Sequence, residues 1–393
     1  MKQLAFENKG KGLISATRWT LRKPAPEENP LTLYSLQAVG LPLRYSELIK
    51  SGKALTQQYE TTNRKHRRTL WSVCRSSVVS VMIASATAAS AQQGTEQNAP
   101  QALLTSTEVS LSIGADVLET LPLLNNDALA RVRIREITYD SGGLPVAGFL
   151  FEPNAPGPHP AIIYNRGGYG TFGMLAPNLD FLQLVDLAAE GFVVVASQYR
   201  GTAGAPGHDG FGGEDVGDVL SLIDVLDRLE SVDADRIGVM GHSRGGLMTY
   251  LTVTRTNRIR AAVVMAGPTD LRAGLEARPE MMRVYAEAID RQGAELEIEL
   301  DARSALNLVD KFPQTTPLLI LHGTADWRVP PSDSLRLSET LLDRRVPFRL
   351  VMLEGGDHSM SEFELEVQIM VRDWFDRYLS PDAKLPNLAP HGP

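Results

Sequence analysis

Short apolar runs alternate with amphipathic segments along most of the chain after residue 130. The runs are mostly continuous, which is typical of strands buried on both faces of a parallel sheet. The first two, Val132–Tyr139 and Val146–Phe151, flank Gly142-Gly143 and predict an opening hairpin. The other six predicted strands are Ala161–Tyr164, Phe192–Ser197, Ile237–Met240, Ala261–Met265, Leu318–Leu321 and Arg349–Leu353.

Between these runs lie segments with apolar residues three or four positions apart, the spacing of an amphipathic helix. The predicted helices are Asp180–Glu190, Val216–Leu229, Gly246–Thr254, Ser334–Leu342 and Glu362–Tyr378. Because β and α units alternate without an internal repeat, we expect one α/β domain over residues 106–381. Its sheet should be mostly parallel and doubly wound, with helices on both faces.

Charge divides the chain into a basic start and an acidic body. Residues 1–75 carry 14 Lys and Arg against 5 Asp and Glu, and the remainder carries 25 against 42. An acidic body argues against nucleic acid or an anionic membrane as its partner. The apolar content of 43 % and charged content of 22 % allow a sizeable core.

The basic start resembles a signal for export. A cationic cluster, Arg64–Arg68, precedes an apolar, small-residue run, Val78–Ala89, and Ala89-Ser90-Ala91 forms an A-x-A cleavage signature. The run is too short for a transmembrane helix. We therefore expect a signal peptide over residues 64–91, cleaved after Ala91, and a periplasmic or extracellular protein. The alternative is an amphipathic linker in a cytosolic protein.

This interpretation also assigns the ends of the chain. Residues 1–63 should be a disordered extension, or translation should start downstream of Met1. Residues 92–105 should be a flexible mature N-terminus, and residues 382–393 a C-terminal tail. The only cysteine, Cys74, lies in the predicted signal peptide, so the mature protein would have no disulfide, thiolate metal site or cysteine nucleophile.

The chemistry centres on Ser243 in the Gly-x-Ser-x-Gly pentapeptide Gly241–Gly245, which joins a predicted strand to a predicted helix. A nucleophilic serine needs such a tight turn, because the turn projects its hydroxyl above the sheet edge. The glycines are required because side chains there would collide with neighbouring backbone. The helix also directs its positive end at the serine, where oxyanion charge would develop. A structural turn with a bystander serine is the alternative.

A serine hydroxyl needs a base, and the base needs an orienting carboxylate. Asp326 and His358 each follow a predicted strand, and the order Ser, Asp, His is that of the α/β-hydrolase fold. Parallel sheets place their sites at the carboxyl ends of strands, so we expect Ser243, Asp326 and His358 to form a triad.

Three neighbouring residues compete for these roles. Asp357 precedes His358 but should point away from its ring. His322 ends a strand, where histidine more often satisfies backbone groups than acts as a base. His242 should face away from the serine, because successive side chains diverge.

The oxyanion hole should combine two donors. One is the backbone N–H of Arg244, and the other comes from the glycine-rich loop after the Ala161–Tyr164 strand. Within that loop, the backbone of Gly168, the backbone of Tyr169 and the Tyr169 hydroxyl remain alternatives. A phosphate-binding loop is excluded because no Gly-Lys-Ser/Thr follows.

Several motifs together resemble the catalytic domain of the prolyl oligopeptidase family of serine peptidases, family S9. The similarity covers about residues 130–380 and rests on Tyr199–Gly201, Phe211–Val219, Val232–Gly238, the Gly241–Gly245 pentapeptide, Leu321–Asp326 and Gly355–His358. The resemblance implies Ser243 as nucleophile, Asp326 as acid and His358 as base. No metal-ligand cluster appears in the sequence, so we expect neither a metal nor a cofactor. Larger members carry a β-propeller, and we expect none in this chain. Where many relatives have His-Gly-Gly-Pro, this chain has Arg166-Gly167-Gly168-Tyr169.

The leading hypothesis is thus an exported serine peptidase acting on short peptides, with a carboxylesterase and a catalytically dead binding module as alternatives. A peptidase should hold the substrate amine with carboxylates; Glu214 and Asp215 are candidates, or they form a solvated helix start. Residues 271–313 contain two helical patterns, Ala277–Asp290 and Ser304–Lys311, without a strand between them. We expect either a small helical cap over the active site or a long surface excursion.

Overall fold

A computed structural model describes residues 102–111, 126–177 and 181–392. The chain divides into two units, residues 1–92 and 93–393, and the first lies wholly outside the described residues. The predicted N-terminal extension (1–63) and signal peptide (64–91) fall in that unit. The predicted flexible mature N-terminus, 92–105, is described only from residue 102 onward.

The described residues contain one nine-stranded sheet in the order β1-β2-β3-β5-β4-β6-β7-β8-β9. The strands β4 to β9 run parallel, whereas β1, β2 and β3 pair antiparallel at one edge. The bounds are β1 Leu103–Glu108, β2 Val132–Ser141, β3 Leu144–Pro153, β4 His159–Asn165, β5 Val193–Ser197, β6 Val232–His242, β7 Ile259–Met265, β8 Leu318–Gly323 and β9 Phe348–Leu353. The eight predicted strands are confirmed, and Gly142-Gly143 forms the hairpin turn with positive φ at both glycines.

The prediction of a flexible segment up to residue 105 is wrong for residues 103–105. These residues belong to β1, which pairs with β2 through Ser106 opposite Ile137. Nearly all β1 side chains are exposed, so the strand has no apolar alternation by which the sequence could reveal it. Backbone hydrogen bonding to β2 determines its place.

Helices cover both faces of the sheet, which confirms the doubly wound α/β architecture. The helices α3, α4 and α8 pack into one apolar layer, and α2 and α9 pack into the other. Neighbouring residues of β4 alternate between the layers, Ile163 facing the first and Ile162 the second. The bounds are α1 Asn126–Ala130, α2 Leu182–Ala189, α3 Val216–Leu226, α4 Arg244–Val253, α5 Gly274–Ala277, α6 Met281–Ile289, α7 Gly293–Arg303, α8 Pro331–Asp343 and α9 Glu364–Tyr378.

Residues 271–313, the helical insertion, contain α5, α6, α7 and a 3₁₀ helix, Ala305–Lys311. Sequence periodicity missed α7, because that helix buries only Leu296 and Leu300. Tyr285 of α6 packs edge-to-face on Phe211, with ring centroids 5.1 Å apart. Arg278 lies over the ring of Trp327, at 5.5 Å. The Tyr285 contact places the insertion against the loop that follows β5, and the Arg278 contact places it beside the residue that follows Asp326.

Two further features complete the fold. Residues 381–392 contain neither helix nor strand. Among the residues that the structure describes, no helix is both long enough and apolar enough to cross a membrane.

Candidate active site

Ser243 lies on a strained turn between β6, which ends at His242, and α4, which begins at Arg244. Its φ of 58° and ψ of −125° lie outside the regions that non-glycine residues ordinarily adopt. A β-carbon on Gly241 would overlap the carbonyl of Gly245, and one on Gly245 would overlap the carbonyl of Asn165. The two glycines are therefore the residues that allow this turn to close.

Asp326 and His358 meet at the carboxyl ends of β8 and β9. The Nδ1–H of His358 donates to Oδ2 of Asp326 over 2.7 Å, and both side chains are buried. The backbone N–H groups of Arg328 and Val329 donate to the other carboxylate oxygen, at 2.8 and 3.0 Å. Because its Nδ1 holds the proton, neutral His358 presents a lone pair at Nε2. That Nε2 is buried and has no hydrogen-bond partner among the described residues.

The carboxylate of Asp326 is held in its ionised form. Burial raises the pKa of this carboxyl group, but hydrogen bonds from His322 and His358 outweigh burial and keep the pKa well below its ordinary value. Asp326 is thus charged at neutral pH and able to stabilise an imidazolium at His358.

His322 contributes more to this pair than the sequence indicated. Its ring is fully buried, and Nε2 contacts both Oδ2 of Asp326, at 3.2 Å, and the carbonyl of Val329, at 3.1 Å. Both partners accept, so Nε2 carries the proton, while Nδ1 accepts from the Ser334 hydroxyl at 2.7 Å. The expected backbone contact is present, but His322 also helps to hold the acid. Its only sequence signal is its position four residues before Asp326.

His242 connects the serine turn to the histidine loop. Its Nε2–H donates to the carbonyl of His358 over 2.7 Å, and the two imidazole rings lie 4.7 Å apart. Burial and the neighbouring His358 lower the pKa of His242 to about 4. No hydrogen bond joins the Ser243 hydroxyl to His358 within the described residues, but His242 brings their two loops together.

The glycine-rich loop after β4 passes beside the serine. A β-carbon on Gly167 would lie 3.5 Å from Cβ of Ser243, and Gly168 adopts a φ of +75°. The backbone N–H groups of Gly168, Tyr169 and Arg244 find no acceptor in the part of the chain that the structure describes. Unpaired donors beside a nucleophile are what an oxyanion hole requires.

The two carboxylates considered for binding a substrate amine are both engaged. Asp215 is fully buried and pairs with the guanidinium of Arg244 at 2.7 Å. The Glu214 side chain is 89 % exposed and pairs with Arg200 at 3.0 Å. Only Glu214 fits the alternative of a solvated helix start. The described residues contain no cluster of three or more His, Cys, Asp or Glu that could hold a metal ion.

A serine on a strand–turn–helix elbow, followed in chain order by a buried Asp–His pair at the same sheet edge, defines a serine hydrolase of the α/β-hydrolase fold. A model of the prolyl oligopeptidase family of peptidases matches residues 177–382, more than half of the chain. The chain belongs to this family.

Two proteins with similar sequences match part of the chain. It is 34 % identical over 217 residues to an uncharacterized peptidase, YtmA, of Bacillus subtilis, covering 55 % of this chain and 82 % of that protein. It is 27 % identical over 260 residues to the acylamino-acid-releasing enzyme of Homo sapiens. That match covers 57 % of this chain but only 32 % of the human enzyme.

Solved structures share the fold. A puromycin-hydrolyzing peptidase of Mycobacterium tuberculosis superimposes with a TM-score of 0.59 at 24 % identity, covering 68 % of this chain and 42 % of that one. An acylaminoacyl peptidase of Pyrococcus horikoshii gives 0.55 at 22 % identity, covering 65 % and 44 %. The chain thus spans less than half the length of these two structures.

Proposed function

We propose that this chain is a serine peptidase that cleaves short peptides through an acyl-enzyme intermediate. The observation that carries the proposal is the unpaired, buried Nε2 of His358, whose opposite nitrogen is fixed on Asp326. An imidazole in that tautomer can accept a proton from the hydroxyl of Ser243. Family membership supports peptide bonds over esters as the target.

In the proposed reaction, Oγ of Ser243 attacks the substrate carbonyl while His358 takes its proton. The N–H groups of Arg244 and of Gly168 or Tyr169 hold the resulting oxyanion. Collapse of the tetrahedral intermediate breaks the peptide bond, and His358 gives its proton to the leaving amine. Water then attacks the acyl-enzyme with the same histidine as base, releasing the acid and restoring the serine.

Two exposed aromatic side chains are candidates for contacts with substrate. Phe172 follows the glycine-rich loop and is 68 % exposed, and Trp327 follows Asp326 and is 66 % exposed. An exposed aromatic ring next to a catalytic loop offers apolar area to a substrate side chain. Relatives named for releasing acylamino acids make acylated aminoacyl anilides the first substrates to test.

A fluorophosphonate probe tests the nucleophile, because it modifies an activated serine. Wild-type protein should take one label on Ser243, located by peptide mass spectrometry, and Ser243→Ala should take none. Unlabelled wild-type protein would contradict the proposed catalysis and favour a binding module. Comparing kcat/KM for p-nitrophenyl acetate and acylaminoacyl p-nitroanilides then separates peptidase from esterase. Hydrolysis of the ester alone would overturn the proposed peptidase activity.

We also propose export of this chain, on the strength of residues 64–91 alone. The supports are the cationic cluster, the apolar run and the Ala89-Ser90-Ala91 signature. Expression of the full chain followed by N-terminal sequencing of the secreted or periplasmic form should give a start at Gln92. An unprocessed protein found only in the cytosol would contradict export without affecting the proposed catalysis.

A further inference from the structure

The side chain of Arg244 is buried beside the glycine-rich loop that carries the second candidate oxyanion donor. It is only 2 % exposed, although it belongs to the residue that follows the nucleophile. Its Nη1 donates to the carbonyl of Gly168 over 2.8 Å and to Oδ2 of Asp209 over 2.8 Å. Its Nη2 donates to the other oxygen of Asp209 and, over 2.7 Å, to Asp215. The guanidinium therefore reaches the glycine-rich loop from the elbow.

Aromatic rings and two carboxylates fix this guanidinium in one plane. It lies between the rings of Tyr199 and Phe211, 4.8 Å from each centroid. A planar cation with several donors can satisfy two carboxylates, a carbonyl and two ring faces together, which a lysine ammonium cannot do. Burial lowers the pKa of Arg244, but Asp215 and Asp209 outweigh burial and raise it above the ordinary value, so the group stays charged.

Asp209 carries the restraint to a second point of the loop. Its Oδ2 accepts from the backbone N–H of Gly170 over 3.1 Å while it also binds Arg244. Arg166, which is fully buried, holds the same loop from within. Its guanidinium donates to the carbonyls of Gly167 and Gly170, at 3.1 and 3.0 Å, and it is anchored on the carbonyl of Gln198.

These contacts determine which way the peptide groups face. In a trans peptide the C=O and the following N–H point in opposite directions. The carbonyls of Gly167 and Gly168 bind the two guanidinium groups, so the N–H groups of Gly168 and Tyr169 face away from them. Those two N–H groups are the ones without an acceptor among the described residues.

We propose that the Arg244 side chain is a positioning residue that orients the oxyanion loop by binding the Gly168 carbonyl and, through Asp209, the Gly170 N–H. The proposal rests on the proposed acyl-enzyme function. The backbone N–H of Arg244 is one oxyanion donor, and its side chain sets the direction of the donor on the opposite loop. Both donors of the hole thereby depend on one residue.

Arg244→Ala tested with free guanidinium ion separates positioning from a general structural role. We expect kcat on an acylaminoacyl anilide to fall about 100-fold, as for loss of one oxyanion donor, with little change in KM. Guanidinium chloride at millimolar, non-denaturing concentration should restore most of the lost kcat, because a planar cation can refill the site between Tyr199 and Phe211. Methylammonium should not. Arg258→Ala is the control. It removes another bidentate Arg–Asp pair, that of Arg258 with Asp227 at the amino-terminal end of β7, and should keep wild-type kcat.

Arg244→Lys covers the case in which the alanine variant fails to fold with two buried, unpaired carboxylates. Lysine keeps the charge but cannot bind the carbonyl and both carboxylates together, so a folded variant should still lose kcat at least tenfold. The pH dependence of the remaining activity should match wild type, because the base is untouched. Wild-type kcat in either variant, or recovery equal with methylammonium and guanidinium, would overturn the proposal. Failure of wild-type protein to react with fluorophosphonate would instead reject the proposed function itself.

Discussion

Replacing His242 by glutamine should change how the stability of the protein depends on pH. The His242 ring is packed 4.7 Å from the ring of His358 and donates Nε2–H to the His358 carbonyl. Burial, followed by the neighbouring His358, lowers its pKa from 6.5 to about 4. A glutamine amide can keep a donor toward that carbonyl, but it cannot titrate in this range.

The direction of this pH effect depends on whether the folded or the unfolded chain binds the proton more tightly. Between pH 6.5 and about 4 the unfolded chain protonates this histidine, whereas the folded chain keeps it neutral. Protonation therefore favours unfolding, and the free energy of unfolding falls as the pH is lowered through this window. A shift of this size corresponds to about 3 kcal/mol, at roughly 1.4 kcal/mol for each pKa unit. Below about pH 4 both states bind the proton, so the loss reaches its limit there.

Urea unfolding followed by circular dichroism at several pH values between 3.5 and 8 measures this effect. The quantity of interest is the wild-type free energy of unfolding minus that of His242→Gln. We expect this difference to decrease by about 3 kcal/mol on going from pH 7 to pH 4 and then to stay constant. His159→Gln controls for exchanging an imidazole for an amide, since its Nε2 also contacts a backbone carbonyl, that of Ala155 at 3.0 Å. A difference that is independent of pH would refute the reasoning.

Three further predictions concern catalysis on the same anilide. His322→Asn removes a donor to Asp326 and should lower kcat about tenfold, the equivalent of one hydrogen bond to a charged group; an unchanged kcat would show that the acid is held without it. Gly168→Ala should lower kcat by at least about 100-fold with the circular dichroism spectrum retained, because a β-carbon there would overlap the Phe172 carbonyl. Gly170→Ala, whose β-carbon would meet open space, should be the milder change, and equal losses would contradict this explanation. Prolonged treatment with EDTA should leave kcat unchanged, and a loss that zinc reverses would mean that a metal takes part.

The fold could be predicted wherever the burial of an element requires a regular pattern of apolar residues in the sequence. The strands β4 to β8 are continuous apolar runs because layers of helices cover both faces of the sheet. The same reasoning failed at β1, whose side chains are exposed, and at α7, which buries only two leucines. In both places, hydrogen bonding or packing against distant segments replaces the local pattern.

The candidate triad was predictable for a related reason. Ser243, Asp326 and His358 each follow a parallel strand, and such strands end at one edge of the sheet, so topology alone brings the three loops together. Individual side-chain contacts were harder to predict from the sequence. His242 and His322 were considered as rivals of the base, whereas the structure places them as neighbours that bind the His358 carbonyl and the Asp326 carboxylate.

The burial of Arg244 and its two aspartate partners could not be predicted from the sequence. An arginine next to the candidate nucleophile, and two aspartates in a glycine-rich stretch some 30 residues earlier, would each be expected at the surface. They are buried because each compensates the charge of the other, and the compensation exists only after the loop following β5 has packed against the start of α4. Removing one partner would leave an uncompensated buried charge, which is why the cluster has to form as a unit. The sequence can therefore identify the nucleophile, but the orientation of the groups around it follows from contacts that only the assembled fold creates.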